Sequence, residues 1–189
     1  MKRMVILAAV AASLSCASPA NSADTFKVDP VHSFILFRAH HGKIGFVCGR
    51  FNDPSGTFVL DGSDPTKSTF AVEVPAANVD THNEQRDEHI KGPDYLEAKK
   101  APAIAFKSTS VKKGKDDTLE VTGTMDLHGV SKEMTVTIEL VGKGEMPAGV
   151  TRQGLEASFV IKLSDFGIKS PPGVADEVKL TVALEGIKQ

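Results

Sequence analysis

Apolar and polar residues alternate with a period of two through most of the chain, which predicts β-strands. In residues 134–140, for example, Met134, Val136 and Ile138 alternate with polar residues. Successive side chains of a strand point to opposite faces, so each such segment has one dry face and one wet face, as in antiparallel sheet. The same pattern runs through residues 70–74, 121–127, 155–163 and 178–185.

The first strands of the chain are less regular. The run Phe-Ile-Leu-Phe at residues 34–37 is apolar on both faces, so the pattern does not decide which face points inward. Further strands are predicted at 46–51, 57–60 and 104–111, with a bulge or bend at 53–56. Eight or so strands joined by short turns predict an all-β, antiparallel sheet that closes on itself as an eight-stranded barrel. A β-sandwich is the main alternative.

One segment between the strands reads as helix. Thr81 and Glu84 have the spacing of a capping box. Gly92 suits the left-handed position at a helix C-terminus, and Pro93 prevents continuation but can open a second short turn. The sequence therefore predicts one short kinked helix, over about 81–98, inserted between two runs of strands.

The N-terminus has two basic residues, then an apolar run over 4–14, then small residues up to Ala23. This is the pattern of a secretory signal peptide, and the run is too short to anchor the chain in a bilayer. We expect a signal peptide at 1–23 with cleavage near Ala23, and one domain at 24–189. The expected location is periplasmic or secreted.

Loss of this leader changes the net charge from −2 to −4, because it removes two basic residues and no acidic ones. A mildly acidic chain without a long basic run argues against nucleic acid as a partner. No later apolar run is long enough to predict a transmembrane segment in the mature chain.

The chain has two cysteines. Lipidation of Cys16 is an alternative to simple cleavage, but Leu14 stands one place too late for the usual lipoprotein signal. Cys48 would then be the only cysteine of the mature chain, which excludes an intramolecular disulfide in an oxidising compartment. A buried, unreactive thiol is the expectation for Cys48.

The motifs of the mature chain, in order and spacing, resemble the YceI-like family. They are Asp29-Pro30-Val31-His32-Ser33, Phe37, His40, Gly49-Arg50-Phe51, Gly56, Asp80-Thr81, Arg86-Asp87-Glu88-His89, Pro102, Phe106-Lys107-Ser108, Gly123, Gly129 and Ser164-Asp165-Phe166-Gly167. The resemblance covers residues 24–188 and implies a bacterial, mostly periplasmic, lipocalin-like barrel associated with polyisoprenoid binding. Tyr95-Leu96 stands where the family commonly has a pair of aromatic residues, and His41 is an extra residue before Gly42.

The helix carries a candidate headgroup site. His82, Arg86 and His89 stand at i, i+4 and i+7, which places them on one helical face. Such a face near a helix N-terminus suits a phosphate or pyrophosphate. The alternative is structural, with Arg86 and His89 holding the helix across the barrel end through backbone carbonyls or through Asp29 and Asp80.

The interior of the barrel is the candidate site for an apolar tail. The side chains expected to face it are Phe34, Leu36, Phe70, Val72, Met125, Phe159 and Leu180.

No nucleophile, metal or haem motif rises above background, so the sequence predicts a protein without catalytic residues, metal or cofactor. The predicted function is to hold an elongated apolar ligand, an isoprenoid of the prenyl diphosphate or quinone type, for transport or storage. The alternatives are a periplasmic redox- or metal-linked accessory protein or enzyme using histidines and Cys48, and a filled barrel acting only through partners. The sequence does not decide whether the protein forms a homodimer.

Overall fold

The computed structural model describes residues 23–170 and 173–189. The predicted signal peptide and Cys16 therefore lie outside the described residues, except for Ala23. The strands are β1 Asp24–Val28, β2 Phe34–His41, β3 Gly45–Phe51, β4 Ser55–Leu60, β5 Thr69–Pro75, β6 Val79–Asp80, β7 Ala103–Lys113, β8 Thr118–Leu127, β9 Val130–Met146, β10 Val150–Lys162 and β11 Val174–Lys188. The helix α1 is Glu84–Lys91, between β6 and β7.

The strands form one antiparallel sheet that closes into a barrel. The sheet order is β1-β4-β5-β7-β8-β9-β10-β11, and β1 pairs with β11 to close the ring. At the other end of the barrel the order continues from β11 through β2 and β3 to β6. The pairs β1–β2, β3–β4 and β5–β6 are therefore each equivalent to one long strand with a break, and these three complete the barrel of eight. The eight-stranded barrel predicted from the sequence is confirmed.

The break between β1 and β2 lets both strands use the same edge of β11. β1 pairs with residues 186–188 and β2 with residues in the range 174–183, so β1 and β2 lie at opposite ends of the barrel. Ser33 bridges the break, since its hydroxyl accepts from the Glu185 N–H at 2.9 Å.

A cluster of charged side chains holds this break. The buried Asp29 carboxylate meets the His32 ring at 2.7 Å and accepts from Arg152 at 2.5 Å. The same Arg152 guanidinium donates to Glu185 on β11 at 2.5 Å. The His32 and Arg152 contacts lower the pKa of Asp29 from 3.8 to about 2. Arg152 therefore ties the bend after β1 to both β10 and β11.

Aromatic side chains fill the β1 end of the barrel. The rings of Phe26 and Phe58 stack at 5.1 Å and those of Phe58 and Phe70 at 6.2 Å. Phe26 and Phe58 are fully buried. Gly186 permits this packing, because a Cβ there would lie 2.4 Å from the Phe58 ring. This end of the interior is closed.

The helix α1 covers the other end and is shorter than predicted. It begins after Asn83, whose side chain accepts from the Arg86 N–H at 2.9 Å, so the expected capping box at Thr81 is wrong. Gly92 ends the helix in an extended conformation with φ −72°, not in the left-handed one. The predicted second turn is present as turns, and Leu96 there is buried in the core. None of the helices in the described residues is long and apolar enough to cross a membrane.

The cluster at the strand break should make the stability of the fold depend on pH. We expect Asp29→Asn to lower the free energy of unfolding at neutral pH by about 2 kcal/mol, because the native pKa lies nearly two units below the ordinary value. Because the pKa of Asp29 is lowered in the folded state, its ionised carboxylate stabilises the fold above pH 3.8. This stabilisation is lost as the pH falls towards 2. Urea unfolding of the wild type and the variant across this range measures the difference.

The variant and the wild type should therefore converge at the acid end. Glu120→Gln, which removes an exposed carboxylate of β8, is the control and should change little. An Asp29→Asn deficit that stays constant down to pH 2 would contradict the assignment to this carboxylate.

Candidate functional site

A cavity of about 550 Å³ lies inside the barrel between the aromatic end and α1. The walls come from nearly every strand, and most of the lining side chains are apolar. Two buried clusters meet around it, and Phe106, Met134 and Phe159 belong to the surroundings of both. The volume falls in the range of small-molecule sites, which are mostly apolar and largely preformed. The interior is therefore not filled by its own side chains.

Five of the apolar residues predicted to face the interior do line this cavity. They are Phe70, Val72, Met125, Phe159 and Leu180. Their alternation with polar neighbours determined the inward face correctly. Their contact with a ligand stays a prediction.

Phe34 and Leu36 are corrections, because they do not line the cavity. They lie on the outer face of β2 and are 44% and 41% exposed. Ile35, Phe37 and Ala39 point inward in their place. All four residues of the run 34–37 are apolar, so polarity could not choose between the two faces of this strand.

The α1 end of the cavity, which we call the mouth, carries polar side chains in its wall. Arg86 and His89 of α1 border the cavity there together with Tyr95. Arg86 donates from Nε to the Thr81 hydroxyl and from one terminal nitrogen to the Thr81 carbonyl, both at 2.7 Å. The structural contact with a backbone carbonyl, which was the alternative role for Arg86, is thus present. The residue still borders the cavity.

The other parts of the predicted helical face are corrections. His82 precedes α1, is exposed, and has a left-handed backbone with φ +62°, so it shares no helical face with Arg86 and His89. Asp87 accepts from both the backbone N–H and the hydroxyl of Thr81, at 2.8 and 2.5 Å. Thr81 serves these contacts and not the predicted cap. The sequence could not show this, because threonine and asparagine are both good capping residues.

Tyr95 also lines the mouth, although it was not among the site residues predicted from the sequence. Its ring meets His89 edge-on at 5.2 Å, and His89 lies 3.6 Å from the Asp94 carboxylate. Burial, with a smaller effect of the Asp94 charge, raises the pKa of the Tyr95 hydroxyl. The signal available in the sequence was that Tyr95 is the single tyrosine of the chain and stands at a departure from the family pattern.

Comparison with known proteins places this barrel among its relatives. A family model described as a YceI-like domain matches residues 26–186. The chain belongs to the YceI-like family. It is 38% identical to the protein YceI of Escherichia coli O157:H7 over the full length of both chains.

Solved structures show the same fold. BcnA of Burkholderia cenocepacia matches with a TM-score of 0.75 at 21% identity, covering 84% of this chain and 98% of that one. A domain from Saccharophagus degradans, described as a polyisoprenoid binding domain implicated in plant cell wall breakdown, matches with a TM-score of 0.67 at 16% identity, covering 87% and 98%. At such low sequence identity, these structural similarities show a shared fold and nothing about function.

The YceI-like chain also has groups outside the cavity that bear on metal or redox chemistry. In the described residues, Asp29, His32 and Glu185 form the one cluster with metal-like spacing, but the Arg152 guanidinium already lies against both carboxylates. A metal ion there would have to displace this cation. Cys48 is free and exposed on β3, which corrects the expectation of a buried thiol. Neither group borders the cavity.

Filling the cavity should block an apolar guest without unfolding the barrel. We expect Ala157→Phe, which projects a ring into the cavity from β10, to abolish the fluorescence enhancement of anilinonaphthalene sulfonate bound to the wild type. Ala183→Phe is the matched control, because Ala183 pairs with Phe34 on the outer face of β11. Equal enhancement in wild type and Ala157→Phe would show that the dye does not use the cavity.

Proposed function

We propose that this protein binds an elongated apolar ligand, an isoprenoid of the prenyl diphosphate or quinone type, inside the barrel. It holds the ligand for transport or storage and catalyses no reaction. The observation that carries the proposal is the unfilled apolar cavity of about 550 Å³. A domain of this size ordinarily packs its core without such space, and an apolar cavity large enough for a guest favours one.

The size of the cavity bounds the ligand. A methylene group needs about the volume of a water molecule, roughly 30 Å³, so the space accommodates on the order of three or four five-carbon units. Burial of each unit contributes up to about 4 kcal/mol. The loss of conformational and translational freedom of the ligand offsets only part of this gain. The burial of three or four units therefore still favours binding. A longer tail would extend through the mouth.

The mouth offers a place for a polar headgroup. Arg86 and His89 border the cavity at the end away from the aromatic stack, so a tail inside would direct its head towards them. A guanidinium has five N–H donors, and two of those of Arg86 are used on Thr81. The remaining donors suit a phosphate or diphosphate, whereas a quinone would use single hydrogen bonds from His89 or Tyr95.

The relatives and the N-terminal pattern support the rest of the proposal. The Saccharophagus degradans domain of the same fold is described as polyisoprenoid-binding. The basic and apolar leader at 1–23 is the basis for placing the protein in the periplasm or outside the cell.

The ligand should be retained when the protein is purified from its own host. Native mass spectrometry and solvent extraction should give a prenyl lipid in about equimolar amount, because apolar burial makes release slow. The Ala157→Phe protein, prepared in the same way, should carry none. A bound metal or haem in place of lipid would instead support the redox or metal-linked alternative.

The headgroup contact should distinguish charged from neutral ligands. Arg86→Gln should weaken a farnesyl diphosphate about tenfold or more and farnesol little, since it removes a charged hydrogen-bond donor. Tyr95 emission reports binding without a label, because the chain has one tyrosine at the mouth and no tryptophan. Arg50→Gln is the control, since Arg50 pairs with Asp80 and does not border the cavity.

A loss of fold in Arg86→Gln would weaken both ligands together. Thermal unfolding checks that Arg86→Gln is folded. Equal weakening of the diphosphate and the alcohol by the folded variant rejects the headgroup role and leaves Arg86 with its structural contact alone.

A further inference from the structure

The hairpin formed by β2 and β3 differs in charge from the rest of the chain. Residues 30–52 contain no aspartate or glutamate, although the whole sequence has 24 of them and a net charge of −2. The same stretch carries Arg38, Lys43 and Arg50. The hairpin is therefore net positive in an acidic protein because it lacks acidic residues, and since Arg50 pairs with Asp80, Arg38 and Lys43 are the cations left on it.

Apolar side chains are exposed on the same hairpin. Ile44 is 94% exposed at its tip, and Phe46 next to it on β3 is 48% exposed. The Arg38 guanidinium lies 4.0 Å from the centre of the Phe46 ring, and the His40 ring lies at 4.3 Å from it. Apolar and aromatic groups flanked by cations are typical of surfaces that enter the headgroup region of anionic membranes.

The tip is held in place and borders the mouth of the cavity. Gly42 turns the chain with φ +58°, and its N–H donates to the Gly173 carbonyl before β11. His41 pairs with Val174, and both border the cavity, as does Phe46. The exposed Ile44 therefore projects from a fixed turn beside the entrance.

The strand pairing leaves this side of the mouth without a closing strand. β3 pairs with β2 over residues 45–51, but its other edge pairs with β6 only at Arg50 and Phe51. Beyond those residues the neighbouring wall of the cavity is α1, with Arg86 and Ile90. A surface that contacts the hairpin tip would lie next to this unpaired edge of β3.

We propose that the β2–β3 tip docks on an anionic phospholipid bilayer, with Ile44 entering the headgroup boundary and Lys43 and Arg38 meeting the lipid phosphates. The docking goes beyond the proposed function, because it needs no ligand in the cavity. Its consequence for that function is that the mouth would face the membrane in which an isoprenoid is dissolved. The positive charge of the hairpin complements an anionic surface, and insertion at the headgroup boundary would bury the exposed Ile44 side chain.

Vesicle flotation tests the proposal with the mature chain. The wild type should float with vesicles made of equal parts phosphatidylcholine and phosphatidylglycerol, and much less with pure phosphatidylcholine or in high salt. Ile44→Asp and Lys43→Glu should each lower the partition coefficient about fivefold or more. Both sites are exposed, and thermal unfolding checks that the variants fold.

Matched substitutions at the other end of the barrel are the controls. Val141→Asp changes an apolar residue that is 60% exposed on β9, and Lys113→Glu changes an exposed cation at the end of β7. Both should float as the wild type does. Loss of flotation in the controls, or none in the tip variants, overturns the proposal.

Two further measurements distinguish membrane docking from self-association and from ligand binding in the cavity. Sedimentation without lipid reports self-association, and a wild-type dimer that Ile44→Asp dissociates would show that the tip contacts a second copy, overturning the membrane proposal. Farnesol binding followed by Tyr95 emission should be unchanged in Ile44→Asp. Failure of the wild type to bind farnesol counts against the proposed function and leaves the flotation result standing.

Discussion

The interior of an eight-stranded barrel has a fixed width, and the side chains that face it must either meet across the axis or leave space. At the β1 end they meet, because three phenylalanines stack there and Gly186 leaves room for Phe26 and Phe58. Further along the axis the lining is mostly valine, leucine, isoleucine and phenylalanine, with no tryptophan in the chain. These side chains do not meet across the axis, and the cavity is the space between them. Close packing is the rule in protein interiors, so this space makes a guest favourable.

The position of the opening follows from the breaks in the first strands. The bend after β1, held by Arg152 against Asp29 and Glu185, sends β2 along the far part of β11. There β2 and β3 pair with each other, while β3 has only a two-residue contact with β6 on its other side. The barrel is thus fully hydrogen-bonded at one end and completed by a helix at the other.

The fold could be predicted from the sequence, because polarity alone decides the inward face where one side of a strand is wet. Met125, Phe159 and Leu180 alternate with polar neighbours and lie on the cavity wall. Alternation of polarity could not decide the inward face at residues 34–37, because the outer face of this strand is apolar as well. In the structure Phe34 and Leu36 lie on the outer face. The first residue of the helix could not be predicted from local sequence either, because two residues there are able to cap it. Thr81 could cap the helix, but Asp87 and Arg86 engage its hydroxyl and leave the cap to Asn83.

The two interpretations of Arg86 made from the sequence are compatible in the structure. Its contacts with the Thr81 hydroxyl and carbonyl fix the start of α1 to the end of β6, and so set the guanidinium at the cavity edge. A planar guanidinium held by two hydrogen bonds has lost most of its rotational freedom before a ligand arrives. An anion bound by its free N–H groups would therefore require little further ordering. The structural contact of Arg86 would thus provide the preorganisation that the proposed headgroup site needs.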